Sequence, residues 1–579
     1  MNLNPTPEEK AIGKDNFHAA VGSKLTRRDF LQASIAAGTV SGVGLGAMYF
    51  GYEKIKGDPV RVGLIGTGDE GGILVGAHNP EYLRVVAIAD IRPSNIERIF
   101  HGDPKARGPR PGLLAKYPEW GNEEQARKDV KVYDKDYREL LADSNVEAVI
   151  IALPLHLHAK VAIEAMRAGK HVLTEKLMAH SVTECKEMAR VAKETEKILA
   201  TGHQRHYSVL YDNAMEIIRR DLIGDIHHIR AQWHRGGDRW ASVEMPEDGK
   251  KLMDKWTKEL KNKNTKAKRR AAVEGVLKTK GPYYAMLAKD VDVDAAGYGY
   301  QEHKLDKYGD STEEPGKDGH HCTSMEELIR WRLWNRTGGG LMAELGSHQL
   351  DAASLFIKAM SEDGNEVHPL SVSAVGGRHV SPANRDIADH VYCSFEFPNP
   401  KYGDDPNKKI VVNYSAMDHN GFGGYGEVVM GTKGTLILAN EKDYMLFKGS
   451  SATQVGVKSS KDKIALDSYE STADVAVGQK ALAGDISRGY TEEMEHWAWC
   501  IRSGDPANQP RCKPEVALAD AAVVLTANIA ISQQKRIEFK PEWFDIENDA
   551  TPEVEYKIDG ARSPDKDPKL SNYPKSVLG

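Results

Sequence analysis

The sequence predicts an α/β protein. A doubly wound parallel sheet opens it, and an α+β domain built on a mostly antiparallel open sheet follows. Three observations carry this. The apolar run Val60–Ile65 enters Gly66-Thr67-Gly68-Asp69-Glu70-Gly71, and a second apolar run, Val85–Ala89, ends on Asp90. Strand-like and helix-like runs then alternate as far as Gly202, the rhythm of a parallel sheet with helical crossovers. From residue 369 onward, alternating apolar and polar runs replace that rhythm, as antiparallel strands require. A chain of 579 residues exceeds one ordinary core, so at least two domains are expected.

Taken in order, the parallel strands fall at 61–65, 85–89, 130–133, 147–152, 171–174 and 198–201, with helices at 71–78, 136–143, 157–168 and 181–195. The stretch from His101 to Asp129 reads as a surface insertion with one short helix. A helix near 207–220 ends at Gly224, a natural C-cap, and a strand runs from Ile226 to Trp233. The antiparallel strands are placed at 369–376, 389–397, 409–417, 426–430, 434–439 and 444–447, and a last helix at 514–532, its apolar side on the first domain. The domains predicted are 58–204 for the nucleotide and 205–540 for substrate and oligomerisation. A polar insertion near 236–325 interrupts the second, and 541–579 reads as an extended tail. Within that insertion the basic run Lys258–Arg270 reads as a solvated segment.

Residues 1–57 read as a signal and linker, set aside from the fold. Thr26-Arg27-Arg28-Asp29-Phe30-Leu31-Gln32 resembles a twin-arginine export signature, and a mildly apolar run, Ala33–Phe50, follows. The expectation is export by the twin-arginine machinery to the periplasm, or a tether on the outer side of the inner membrane. Net charge is 78 − 84 = −6, which gives no nucleic-acid footprint. The five cysteines are scattered, with no C-x-x-C, which argues against a disulfide scaffold or zinc module. Cys500 and Cys512 are the only close pair, as a disulfide or as two buried thiols. His156 and His158 lack a third ligand at metal spacing, so no metal is expected.

The glycine turn specifies a dinucleotide. Gly66 makes the tight turn, Gly68 lets backbone approach a pyrophosphate, and Gly71 lets the helix pack on the strand. Thr67, Asp69 and Glu70 lie at the helix N-terminus, where N–H groups and the dipole favour phosphate. Asp90 suits a ribose diol and repels a 2′-phosphate, which favours NAD. Arg92, two residues on, is placed to reverse this, so NADP stays open.

Further motifs follow in order: Ala152-Leu153-Pro154-Leu155-His156-Leu157-His158, then Ala168-Gly169-Lys170-His171-Val172-Leu173-Thr174-Glu175-Lys176, then Gly202-His203-Gln204-Arg205, then Gly338-Gly339-Gly340-Leu341-Met342-Ala343-Glu344-Leu345-Gly346-Ser347-His348-Gln349-Leu350-Asp351. With the glycine turn, they resemble the glucose–fructose oxidoreductase/inositol dehydrogenase (Gfo/Idh/MocA) family over about Val60–Phe539. Leu177 stands where that family has proline, and Glu344 where it has aspartate. The resemblance implies hydride transfer on a sugar or polyol, with Lys176, His348 and Glu344 catalytic. Pro154, His158, Glu175, Lys176 and Gln204 would join the cofactor set, and a homo-oligomer through the C-terminal sheet is expected. The chemistry stands beside the resemblance. Hydride transfer from an alcohol needs a base, a cation for the alkoxide and a nearby nicotinamide. Lys176 follows a parallel strand, at the edge where such sheets bind ligands. Glu344 and His348 are spaced i,i+4, and Asp351 is placed to hold the imidazole of His348. Arg205, His234, Arg235 and Tyr425 are candidate substrate contacts.

Two other readings compete. One is a redox-neutral NAD-dependent glycosidase or lyase on the same fold. The other is a non-catalytic sugar-binding protein on a dehydrogenase fold, which the changes at Leu177 and Glu344 keep open. Export as a folded protein implies a nucleotide loaded beforehand, held at sub-micromolar affinity and recycled in place.

Overall fold

A computed structural model describes residues 5–22, 49–104, 110–237, 289–290, 292–361, 363–449, 456–460, 463–467 and 488–558. The Thr26–Gln32 segment, expected as a twin-arginine signature, and the Lys258–Arg270 run lie outside these residues.

The first sheet comprises β1 (Val60–Ile65), β2 (Leu83–Ala89), β3 (Lys131–Tyr133), β4 (Ala148–Ile151), β5 (His171–Glu175) and β6 (Leu199–Gly202). Their order is β3-β2-β1-β4-β5-β6, and every pairing is parallel. This is the predicted doubly wound sheet. Register puts Ile65 beside Ala89 and Ile151, so Gly66, Asp90 and Ala152 share the carboxyl edge. Buried apolar side chains on both faces explain why these strands read as continuous runs rather than alternations.

The second sheet begins with β7 (Ile226–His234). A small hairpin of β8 (His303–Leu305) and β9 (His320–Cys322) lies apart from it. The sheet continues through β10 (Ser371–Gly377), β11 (His390–Pro398), β12 (Lys409–Met417), β13 (Tyr425–Gly431), β14 (Gly434–Ala439) and β15 (Asp443–Lys448). A separate hairpin, β16 (Gly456–Ser460) and β17 (Lys463–Asp467), precedes β18 (Ile537–Glu538). The order is β15-β14-β13-β7-β12-β11-β10-β18, antiparallel except for the β7–β12 pair. β11 and β12 bury every second residue, so one face packs inward.

The helix Pro514–Gln533 is apolar all round because it touches both domains. It meets helix Val182–Thr195 and β6 of the first, and β10 and helix Ser347–Lys358 of the second. Its length and apolarity suit a membrane span, but most of it is buried in the protein.

Three expectations are corrected and one alternative is decided. Residues before 58 are not all apart from the fold: helix Pro7–Gly22 packs on edge strand β15. Phe17 lies 5.6 Å from Tyr444, and Asn16 Nδ2 donates to Leu446 O at 2.7 Å. Gly13, Phe17, Ala20 and Val21 make one helical stripe against the body, which covers an otherwise open sheet edge. The tail is docked as far as residue 558: Trp543 is fully buried, and Lys186 Nζ donates to the carbonyls of Glu542, Asn548 and Ala550. Of the two alternatives for Cys500 and Cys512, the buried thiols hold: all five cysteines are free and buried. The insertion is not irregular throughout: residues 289–290 and 292–325 carry the β8–β9 hairpin and return to the nucleotide domain.

Candidate functional site

A cavity of about 790 Å³ runs from the glycine turn to the second sheet. Gly66, Gly68, Asp69 and Glu70 line one end; Lys176, Glu344 and His348 line the other.

The glycines show why the turn has this sequence. Gly66 has φ +91°, and an added Cβ would lie 2.3 Å from Ala152 O. A Cβ on Gly71 would lie 2.4 Å from Gly66 O. Both are demanded by the protein's own packing. Gly68 is different: the nearest atom to a Cβ there is Asn95 Nδ2, at 3.8 Å. No neighbouring protein atom needs that position bare. A pyrophosphate against the N-terminus of helix Asp69–Ala77 does, so the turn fits a dinucleotide.

Thr67 faces away from the cavity. Its N–H and hydroxyl donate to Asp90 Oδ2 at 2.8 and 3.0 Å. Asp90 also accepts from Arg92 N–H and Asn95 Nδ2, so it fixes the turn as well as facing the ribose position. Asp69 pairs with Arg98 and Arg110 on the cavity rim. Pro154 lines the wall.

At the far end, Lys176 Nζ donates to Glu344 O at 2.6 Å, tying the edge of the first sheet to the second domain. The Lys176–Leu177 peptide bond is cis, without a proline. Glu344 lies in a π-helical turn, Met342–Gly346, that leads into helix Ser347–Lys358. Such turns are common at functional sites. Arg235 Nη2 lies 3.0 Å from Glu344 Oε1, and Arg332 Nε lies 3.8 Å from it. Burial pushes the Glu344 carboxyl up, but Arg235, Arg332 and Lys176 outweigh it and hold the group below its usual range. Burial, with Lys176 nearby, holds His348 well below the usual imidazole value, so it is neutral and can accept a proton. Burial also lowers the Lys176 ammonium, against the pull of Glu175 and Glu344. Glu175 is pushed up to about 8 by burial and by its neighbour Glu70, which burial also raises. Each has its Oε1 shielded and without a hydrogen-bond partner.

Several expected site residues sit elsewhere. Gln204 is buried away from the cavity. Arg205 is 1% exposed, bound to Glu427 at 2.9 Å and Glu441 at 3.0 Å, and donates to His348 O at 2.7 Å. It anchors the backbone of His348 instead of meeting substrate. His234 points to the opposite side of β7 from Trp233 and Arg235, because strand side chains alternate; its ring meets Ser415 and Phe422 O. Tyr425 stacks behind Trp233 at 4.4 Å. His158 touches the cavity, but its ring nitrogens face the carbonyls of Leu153 and Leu177, making it a brace for the two segments that flank the cavity. Asp351 holds His206 at 2.7 Å, not the ring of His348. Arg92 is bound to Asp290.

Sequence reasoning missed Trp233, Arg332, Tyr298, Tyr300 and Tyr490, all lining the cavity. Trp233 was findable from the strand alternation that also places Arg235. Tyr298 and Tyr300 come from the insertion, Arg332 from the short turn Trp331–Leu333 that follows it, and Tyr490 from the start of a late helix, none with a local motif. Among the described residues no cluster has the makings of a metal site.

The fold and the turn define an NAD-binding Rossmann domain joined to a second, mixed-sheet domain. Residues 60–203 match the Gfo/Idh/MocA oxidoreductase family model, described as an NAD-binding Rossmann fold. A glycosyl hydrolase family 109 protein of Shewanella baltica (strain OS185) is 27% identical over 226 residues, 38% of this chain and 46% of that protein. An uncharacterized oxidoreductase of Schizosaccharomyces pombe is 31% identical over 193 residues, 32% of this chain and 46% of that protein. The matched segments thus span under half the length of these curated relatives. The crystal structure of an oxidoreductase domain protein from Kribbella flavida is 14% identical, with a TM-score of 0.50, and covers 84% of this chain and 100% of that one. That likeness is one of fold.

Proposed function

We propose that this protein is an exported NAD-dependent oxidoreductase that oxidises a secondary alcohol of a sugar or polyol and retains its cofactor through the cycle. One observation carries the reading. Lys176, from the edge of the nucleotide domain, meets Glu344 O, one helical turn before a neutral His348, on the wall of the cavity that starts at the glycine turn. The turn residues 66–71, Asp90 and Glu175 would hold the dinucleotide, which when bound supplies the hydride acceptor. His348 accepts the proton of the substrate hydroxyl. Lys176 donates a hydrogen bond to the oxygen that gains charge. Glu344, kept ionised, orients Arg235 and Arg332 over the substrate end. Trp233 offers an apolar face to a sugar ring. Export through the twin-arginine route, and association through the exposed face of the second sheet, belong to the same proposal.

The test is substitution. Lys176→Ala and His348→Ala should each lose most turnover, about 100-fold or more, and still bind nucleotide. A near-normal rate in either variant removes that residue from the mechanism.

A second reading has its own support. Glu175, at about 8, is a carboxylic acid still protonated at neutral pH within the cavity, and a curated relative is named as a glycosyl hydrolase. A protonated carboxyl suits donation to a glycosidic oxygen. Product formed from a glycoside with no net change in cofactor redox state would favour it.

A further inference from the structure

The chain that returns from the polar insertion docks on the nucleotide domain. Asp290 is fully buried there. Its carboxylate accepts from Arg92 Nε at 2.9 Å, Ser94 N at 2.9 Å and Ser94 Oγ at 2.7 Å. Ser94 is the second residue of helix Pro93–His101, and the N-cap residue Arg92 gives that helix no side-chain cap. Asp290, nearly two hundred residues away, supplies the anion that the helix terminus favours. Lys289 pairs with Glu97 on the same helix. Val293, Ala295, Tyr300 and Leu328 then form a small core against Ile91. Asp294, Tyr298 and Tyr300 line the cavity alongside Asp90 and Ile91.

The location gives this contact a meaning. Asp90 ends β2, where such folds hold the adenosine ribose, and a 2′-phosphate is accommodated by an arginine nearby. A guanidinium, a hydroxyl and a helix N–H stand together two to four residues beyond Asp90. That is an anion site suited to a phosphate. All three donors already meet a carboxylate of the same chain.

Building on the NAD reading, we propose that Asp290 is a resident anion that fills the place a 2′-phosphate would take. It thereby sets NAD over NADP, and it pins the insertion's return segment over the adenosine half of the cofactor site. A 2′-phosphate would have to displace a buried carboxylate with three bonds and then sit beside Asp90. The ribose diol of NAD makes no such demand.

The test uses the full chain, with Asp290→Asn, Asp290→Ser and the double variant Asp290→Asn/Arg92→Ala. Affinities for NAD and NADP are read by tryptophan fluorescence or calorimetry, and NADH release by a chase. In Asp290→Asn and Asp290→Ser the NADP-to-NAD affinity ratio should rise tenfold or more, and NADH release should quicken. Adding Arg92→Ala should abolish the gain for NADP. Arg92→Ala alone keeps Asp290 and Ser94 in contact and should leave the wild-type ratio within about twofold. A ratio unchanged within twofold in Asp290→Asn or Asp290→Ser, in protein that binds NAD, overturns the proposal. So does a gain that survives the loss of Arg92. If the Asp290 variants do not fold, Arg92→Ala decides: a large change in its ratio overturns the proposal, and an unchanged one supports it. Wild-type protein that binds neither nucleotide would overturn the cofactor reading itself, a different result from either.

Discussion

Gly68→Ala separates what the protein needs from what the ligand needs. Gly66 and Gly71 are confined by backbone atoms 2.3 and 2.4 Å from where a Cβ would lie, but Gly68 has 3.8 Å of room and a negative φ, −71°, with ψ at −148°, just past the extended region. The substitution should therefore change stability by about 1 kcal/mol at most, because the entropy alanine saves in the unfolded chain offsets the strain of that ψ. Its methyl group would occupy the approach of the pyrophosphate to the helix N-terminus. Losing one charge-assisted hydrogen bond costs about 1.5–3 kcal/mol. A lost bond or two predicts NAD binding weaker by roughly 100-fold, or about 2.7 kcal/mol. Thermal unfolding without nucleotide, then NAD titration, reads both quantities on one sample. Gly66→Ala is the control and should be destabilised outright. Wild-type NAD affinity in Gly68→Ala, or a loss of stability matching Gly66→Ala, would refute the assignment of this glycine to the cofactor.

Further outcomes follow from the same structure. Burial holds His78 at about 3 and His171, His203 and His496 at about 4, below the ordinary 6.5. Their folded values are depressed, so the unfolded chain binds protons first. Their contribution is complete above pH 6.5 and is lost as pH falls towards 4, at about 1.4 kcal/mol per group per unit. The melting temperature should hold from pH 7.5 to 6.5 and drop by several degrees by pH 5; a flat profile to pH 5 contradicts the neutral-histidine account. Phe17→Ala should cost about 3–5 kcal/mol, because that ring is buried against Tyr444 and β15; an unchanged melting temperature would show that the N-terminal helix adds nothing to the fold. By the same logic, N-terminal sequencing of the protein purified from its native cells should find residues 7–22 retained; a mature chain starting beyond residue 22 would contradict it.

The parallel sheet was legible because each of its signals is local. Continuous apolar runs give the strands, Gly66 is marked by the positive φ its tight turn requires, Gly71 is forced by Gly66 O in the same turn, and β1, expected from residue 61, starts at 60. Lys176, Glu344, His348 and Arg235 were legible because motif spacing puts each at a strand edge or helix start. What failed was long-range. Arg205 near the catalytic motifs read as a substrate contact, yet its partners Glu427 and Glu441 lie more than two hundred residues on. Helix Tyr490–Ser503 was missed because Glu492, Glu493 and Glu495 resemble a solvated face, although Met494, Trp497 and Ala498 bury against the first sheet. Asp290 stands in a polar stretch where no spacing marks one acid among many. Helix Pro7–Gly22 was hidden because the whole segment before residue 58 was read as a signal and linker, despite its apolar stripe.

The central claim is hydride transfer between a carbohydrate and a nucleotide held in the cavity. Its most direct test loads the full-length protein with NAD, adds sugars and polyols deuterated at their secondary carbinol carbons, and quenches at short times. The released nucleotide is then weighed by mass spectrometry. The account predicts deuterium on the nicotinamide ring of the wild-type cofactor, and far less of it in Lys176→Ala and His348→Ala. Label transfer undiminished by both substitutions, or a substrate consumed with no label ever reaching the nucleotide, would contradict it.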